Sequence, residues 1–388
     1  MAGPRPHAAQ GFTAVVVMDD AGADSIAVLA RQNDAVEGLS LQIRKPRRRG
    51  RRRRWRRSGV RADTYAALDL GTNNCRLLVA EPTYRGFRVV DAFSRIVRLG
   101  EGMARANQLG EPAIARAIEA LKICRAKIDA NGVARARLIA TEACRAAVNG
   151  PQFIERVERE TGLALEVVDR QTEAYLAVTG CANLADPDAD AVIVFDIGGG
   201  STEIIWLEGA AASGRLETSE RVRAWESMPT GVVTLAELHG GADVTRESFE
   251  AMVSHVARLV AGFAERAGIA ASKRGFHLLG TSGTVTTIAG VHLALPRYDR
   301  RRVDGLWMAD SEVSDVIDHL LDTGYDQRMA NPCIGRERAD LVLAGCAILE
   351  AIRRAFPSER LRIADRGLRE GILMTLMRED GVWRGGWG

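Results

Sequence analysis

The sequence predicts an α/β protein built as two duplicated lobes around a central cleft, preceded by a disordered basic extension. Three observations predict it. Short apolar runs alternate with amphipathic helical stretches from Tyr65 to the C-terminal end. One strand–turn–strand unit occurs twice without a gap, which points to two related lobes. Cations crowd into residues 1–62, which carry a net +9 and leave −6 on the rest of the chain.

The chain has 388 residues, 46% of them hydrophobic and 27% charged, a composition normal for globular domains with a sizeable core. No run approaches the roughly 18 apolar residues that a membrane span needs. The N-terminus lacks a basic start followed by an apolar core, so no secretory signal is expected. The cysteines, at 75, 124, 144, 181, 333 and 346, are scattered and form no Cys-x-x-Cys. Reduced thiols and a cytoplasmic location are the expectation. The histidines show no zinc spacing.

Each element follows in order. Residues 44–57, "RKPRRRGRRRRWRR", are almost wholly cationic, and self-repulsion keeps such a run solvated. It reads as a disordered tail, or as sequence upstream of a later start. The alternative is an arm that binds a polyanion such as RNA, DNA or polyphosphate by counterion release. "YAALDLG", "CRLLVAE" and "FRVVDAF" then read as adjacent strands. The segment "EPAIARAIEALKICRAKIDANG" is a helix, with Pro112 in its first turn and Asn131-Gly132 as its stop. Residues 136–142 are expected as a strand, "PQFIERVERETG" as a helix, 163–169 as a strand and 172–184 as a helix. The pattern restarts at Ala191 with strands "AVIVFD" and "EIIWLEG". A helix over 246–268, a strand ending in "LLGTSGT" that opens a helix into "TVTTIAGVHLAL", helices over about 310–323 and 336–355, the strand "LRIAD" and a last helix complete it. The predicted organisation is an extension over 1–62, lobe I over 63–171 and lobe II over 172–365, with the segment 366–388 packing back on lobe I.

The repeat carries the chemistry. "LDLGTNNCRLLVAE" (68–81) aligns with "FDIGGGSTEIIWLE" (195–208) at a constant offset of 127 residues. Asp69 falls on Asp196, Gly71 on Gly198 and Arg76 on Glu203. A glycine turn lets backbone N–H groups approach an anion closely, because no Cβ intervenes. An Asp at the end of the first strand can hold a divalent cation. The predicted phosphate cradle is Gly71, Thr72, Asn73 and Asn74 on one side and Gly198, Gly199, Gly200 and Ser201 on the other. A third loop, "LLGTSGT", ends a strand and opens a helix. Its Gly280, Ser282 and Gly283 are expected to offer N–H groups to a phosphate or sugar. Taken alone, each motif is an ordinary turn; the gap-free duplication followed by the third loop is what points to a phosphate cleft.

These three loops, in this order, resemble the phosphate and adenosine loops of the actin-like ATPase superfamily. "DLGTNNCRLLVAE", "ATEACRAAVN", "QTEAYLA", "FDIGGGSTEI", "LGTSGTVTTIA", "ERADLVLAG" and "IADRGLREGIL" are similar to motifs of the exopolyphosphatase / guanosine pentaphosphate phosphohydrolase family in its short two-domain form. The resemblance spans about residues 63–380. It implies two actin-like, ribonuclease H-like lobes and Mg²⁺-dependent (or Mn²⁺-dependent) release of terminal phosphate from polyphosphate or guanosine pentaphosphate. A homodimer without membrane association is expected with it.

Carried over position by position, the resemblance makes Glu173 the general base. It places Asp196 and Glu203 in the acidic site and gives Arg76 and Arg145 to phosphate; with Asp69, read from the repeat, these acids are expected to hold the metal, and Glu203 to orient water. Thr141 and Asn149 complete a T-x-x-x-R-x-x-x-N pattern around Arg145. The chain departs from the family at Asn74, where Ser or Thr is usual, and at Thr172, where the family has a second acid. Read from the residues alone, Glu173 is equally a helix-start acid favoured by the dipole, and Arg145 equally a partner for Glu142. Two other functions share these loops: an actin-like small-molecule kinase, and a polyphosphate- or RNA-binding sensor that does not catalyse.

Overall fold

A computed structural model describes residues 63–84, 86–209 and 218–382. The basic run and its predicted disorder lie outside the described residues.

The strands are β1 (Tyr65–Leu70), β2 (Asn74–Thr83), β3 (Gly86–Ile96), β4 (Arg135–Ala140), β5 (Glu166–Val167), β6 (Ala191–Ile197), β7 (Thr202–Glu208), β8 (Val222–Met228), β9 (His277–Thr281), β10 (Trp307–Ala309) and β11 (Arg360–Ala364). The helices of the first part are α1 (Met103–Ala106), α2 (Glu111–Ala130), α3 (Glu142–Ala146), α4 (Gly150–Thr161) and α5 (Arg170–Cys181). Those of the second are α6 (Val232–His239), α7 (Arg246–Ala267), α8 (Gly283–His292), α9 (Arg300–Val303), α10 (Asp310–Asp322), α11 (Tyr325–Ala330), α12 (Val342–Ala355) and α13 (Leu368–Glu379).

They form two sheets, ordered β3-β2-β1-β4-β5 and β10-β11-β9-β6-β7-β8. The duplication extends to topology. In each sheet a hairpin (β1–β2, β6–β7) is antiparallel, the next strand (β3, β8) joins antiparallel, and the strand beyond the first (β4, β9) joins parallel. Register agrees as well: Asp69 pairs with Arg76, and Asp196 with Glu203.

The strands are apolar because both faces of each sheet are covered by helices. One face of the first sheet buries Leu68, Leu70 and Leu77 against Leu121 of α2 and Phe153 of α4. Its other face buries Tyr65, Ala67, Leu78 and Ile139 against Ile372, Leu373, Met374 and Met377 of α13. Each fully buried Leu, Ile, Phe or Met among these contributes about 1.5–3 kcal/mol relative to exposure. In the second sheet, Ile193, Phe195 and Leu278 meet α7, α8 and α12. Its opposite face, with Val192, Val194 and Ile205, meets Ala174, Val178 and Cys181 of α5. Helix α5 also sends Leu176 into the α13 cluster, so it lies at the seam of the two sheets.

Several elements differ from expectation. The predicted strand over 163–169 shrinks to Glu166–Val167, an edge strand with both residues exposed. The helix expected over 336–355 begins at Val342; residues 336–341 form turns along the cleft after Gly335, whose φ is +73°. Strands β8 and β10 and helix α6 were not expected, since β8 is largely polar and β10 and α6 are short.

Candidate active site

The β1–β2 and β6–β7 turns face each other across a cleft of about 600 Å³. It is lined by Asp69, Gly71, Thr72, Asn73, Asn74, Arg76, Thr141, Glu173, Asp196, Gly198, Gly199, Gly200, Ser201, Glu203, Ser282 and Gly283. Residues from all three predicted loops therefore share one space with Glu173.

Both turns hold their carbonyls on the far side. Gly198 and Gly199 oxygens accept the Val232 and Val233 N–H groups at the start of α6, at 3.0 and 2.8 Å. Thr72 and Asn73 oxygens accept from Gly100 and Val97, each at 2.9 Å. A trans peptide sets its N–H opposite its C=O. The N–H groups of Gly199, Gly200 and Asn73 are thus directed away from these partners, which suits them to an anion. Fixing the carbonyls removes reorganisation when charge arrives.

The glycines have a second cause. A Cβ on Gly200 would lie 2.6 Å from Thr72 Oγ1, and one on Gly199 3.0 Å from the Asn73 nitrogen. The two turns touch, and only residues without a Cβ permit it. Gly231, ahead of α6, is pressed in the same way against the Gly198–Gly199 peptide: a Cβ there would lie 2.4 Å from the Gly199 carbonyl carbon. Across the cleft, Arg98 donates to both carboxylate oxygens of Asp340 at 2.8 and 2.9 Å, and Glu237 accepts the Gly102 N–H at 2.6 Å.

Glu173 sits in the first turn of α5, whose N-cap Asp169 accepts from Thr172 N at 2.7 Å. Its side chain is buried, and Arg145 Nη2 donates to Oε2 at 3.1 Å. Burial and the neighbouring Glu203 push its carboxyl well above 4.5, against the pull of Arg145. Glu203, 2% exposed, accepts from Ser227 Oγ at 2.8 Å. Burial and Asp196 push it up to about 7. Burial and Asp69 push Asp196 up to about 6, while Arg76 and the Ser282 hydroxyl oppose. Asp69 is raised by burial and held back by Arg76. Ser282 has φ +84°, an uncommon conformation for a non-glycine residue, at the entry to α8.

These carboxyls supply hard oxygen donors, and mutual repulsion disfavours their common ionisation. Both features fit a divalent cation such as Mg²⁺. No group of three acids, histidines or cysteines is close enough to enclose a metal among the described residues.

Two expected residues stand elsewhere. Gly280 lies inside β9 rather than on the cleft, paired with Phe195. A Cβ there would lie 2.6 Å from the Phe195 ring, so this glycine serves packing. Arg145 stands behind Glu173: Glu142, Glu173 and the Val168 carbonyl take up its guanidinium. Its geometry suits positioning of Glu173 rather than direct phosphate contact. Asn149 clamps the Leu109 backbone, accepting its N–H at 2.8 Å and donating to its carbonyl at 3.0 Å.

Sequence reasoning missed Ser227 and Arg369, and named Glu142 only as an alternative partner for Arg145, a pairing the structure contains. Glu142 is buried and also receives Arg170 at 2.8 Å. Arg369 lines the cleft from the first turn of α13. A basic residue where the helix field disfavours one was the available signal.

Solved structures share this architecture. An exopolyphosphatase-like protein is 27% identical, with a TM-score of 0.72 over 81% of this chain and 99% of that one. The Aquifex aeolicus member of the Ppx/GppA family is 28% identical, with a TM-score of 0.65 over 82% and 98%. An exopolyphosphatase from Cytophaga hutchinsonii, 22% identical with a TM-score of 0.73 over 84% and 100%, shares the fold. The Ppx/GppA phosphatase family model matches residues 78–380, from the second strand of the first hairpin through the last helix. With the paired glycine turns, the acids between them and this match over most of its length, the chain belongs to the Ppx/GppA phosphatase family.

Proposed function

We propose that the protein removes the terminal orthophosphate of inorganic polyphosphate by attack of water, with Mg²⁺ or Mn²⁺, and that guanosine pentaphosphate, whose terminal anhydride is the same, is the second substrate to try. The observation that carries this reading is Glu173: a buried carboxylate, fixed by Arg145, on the cleft that the two glycine turns line. The names of the similar solved structures support it.

Phosphoryl transfer to water depends on positioning and charge neutralisation. The Gly199, Gly200 and Asn73 N–H groups and the Arg76 guanidinium hold the terminal phosphate. One Glu173 oxygen is engaged by Arg145, and the other takes the proton from the attacking water. The new P–O bond forms as the anhydride P–O bond breaks, and the shortened chain leaves. Glu203, steadied by Ser227, orients the water. Asp69 and Asp196 are the residues that would hold the divalent ion, which supplies charge neutralisation to the phosphate oxygens.

The test is a phosphate-release assay on purified protein with each substrate, with and without chelator. Orthophosphate from neither substrate would refute the reading. Transfer to a small acceptor from ATP would favour the kinase alternative, and binding without release the sensor. The arm over 1–62 is proposed to collect long polyphosphate. Deleting it should raise KM for long chains and leave short ones unchanged, and equal kinetics at every length would refute that role. No helix among the described residues is long and apolar enough to cross a membrane. A homodimer in the cytoplasm is part of the same proposal, and sedimentation checks the oligomer.

A further inference from the structure

Arg369 is the second residue of α13, a twelve-residue helix. Exposed N–H groups make that end positive, so a cation there is disfavoured unless a carboxylate answers it. None among the described residues pairs with it. Glu370 gives one oxygen to Arg300 at 2.9 Å and the other to the Gly367 N–H at 3.0 Å. Asp365 accepts the Tyr298 hydroxyl at 2.8 Å, and Asp304 is held by Arg366. Among the described residues, neither Arg369 nor Arg76 makes a hydrogen bond or an ion pair, yet both line the cleft together with Asp69. Burial and the nearby Arg76 press the Arg369 guanidinium below its ordinary value, although Glu370 opposes them.

Its place is rigid. A Cβ on Gly371 would lie 1.9 Å from the Leu176 oxygen, and one on Gly180 1.9 Å from the Gly367 oxygen. Helices α5 and α13 therefore meet backbone to backbone. Glu173 rides on the first turn of one and Arg369 on the first turn of the other.

We infer that Arg369 is a substrate-binding residue, forming with Arg76 a two-guanidinium site beside Asp69 for the non-bridging oxygens of a condensed phosphate. This rests on the proposed function and names a residue of that same site. Two planar forks suit phosphate oxygens, and neither guanidinium has its N–H groups taken up by a hydrogen-bond partner among the described residues.

The probe is inorganic tripolyphosphate, titrated by calorimetry at fixed Mg²⁺, alongside phosphate-release kinetics and thermal unfolding without anion. Arg369→Met should weaken tripolyphosphate binding and raise KM at least tenfold, with kcat less affected. The unfolding midpoint should equal or exceed that of the unsubstituted protein, since burial of this charge outweighs the attraction of Glu370 and Asp69. Arg369→Lys should recover part of the binding. Unchanged binding in Arg369→Met overturns the inference. So does a lowered midpoint with kcat and KM degraded together and no rescue by lysine, the signature of a structural role. If the unsubstituted protein neither binds tripolyphosphate nor releases phosphate, the proposed function fails and this inference with it. If it does both while Arg369→Met matches it, only this inference fails.

Discussion

Glu203→Gln offers a sharp test of the strain held in the cleft. The change keeps shape, and an oxygen remains to accept from Ser227. What it removes is a charge that the native state resists: burial and Asp196 move this carboxyl from 4.5 to about 7. At roughly 1.4 kcal/mol per pH unit, the ionised side chain costs the folded state about 3 kcal/mol. The sign follows from linkage. The folded protein holds the proton more tightly than the unfolded chain, so the group carries no penalty below 4.5, and the penalty is complete above about 7. Glu203→Gln should therefore unfold at a higher temperature than the unsubstituted protein at pH 9. At about 2–4 °C per kcal/mol the rise is several degrees. The advantage should fade as pH drops and vanish near 4.5. Thermal unfolding in chelator across this range measures it. Adding Mg²⁺ at pH 9 should raise the midpoint of both proteins, since Asp69 and Asp196 remain, and narrow the difference between them. A pH-independent difference, or a variant less stable at pH 9, would refute the reasoning that crowded carboxylates strain the site.

Four further outcomes are expected. Glu173→Gln should lower kcat by about 10²–10⁴ while leaving KM nearly unchanged, and full turnover would remove Glu173 from its role as base. Because burial and Glu203 raise Glu173, the acid limb of the rate profile should lie well above pH 4.5 and move to lower pH in any residual activity of Glu203→Gln. Gly200→Ala, whose Cβ would meet Thr72 Oγ1 at 2.6 Å, should part the two turns, destabilise by about 1–3 kcal/mol and reduce phosphate release, as unfolding and kinetics together would show. Arg98→Ala removes the two-pronged contact with Asp340 and should enlarge the radius of gyration in solution scattering at unchanged unfolding cooperativity.

The hairpins were legible because their information is local. Asp69, its glycine turn and Arg76 lie within eight residues, and the antiparallel register then sets Asp69 opposite Arg76. The copy at Asp196 made the second hairpin legible in the same way. What stayed hidden depends on distant partners. Arg98 meets Asp340 across 242 residues, and Arg145 reaches Glu173 across 28. Gly280 shows the ambiguity of a glycine, which serves a ligand, a turn or a ring packed above it alike; here it is the Phe195 ring. Helix α6 was overlooked because it is short and opens with β-branched Val232, Val233 and Thr234, poor helix formers on propensity alone. Yet its N–H groups orient the second turn.

The docking of α13 on the first sheet has a consequence for synthesis. The face made by Tyr65, Ala67, Leu78 and Ile139 is covered by residues more than 200 positions later in the chain. As the polypeptide leaves the ribosome, the second sheet can assemble on its own helices while the first still presents bare apolar surface. The earliest part of the fold to be translated is therefore the last to be sealed. A chaperone with affinity for exposed apolar strands would find its longest opportunity there, and chains stopped before Leu368 should be the ones it retains.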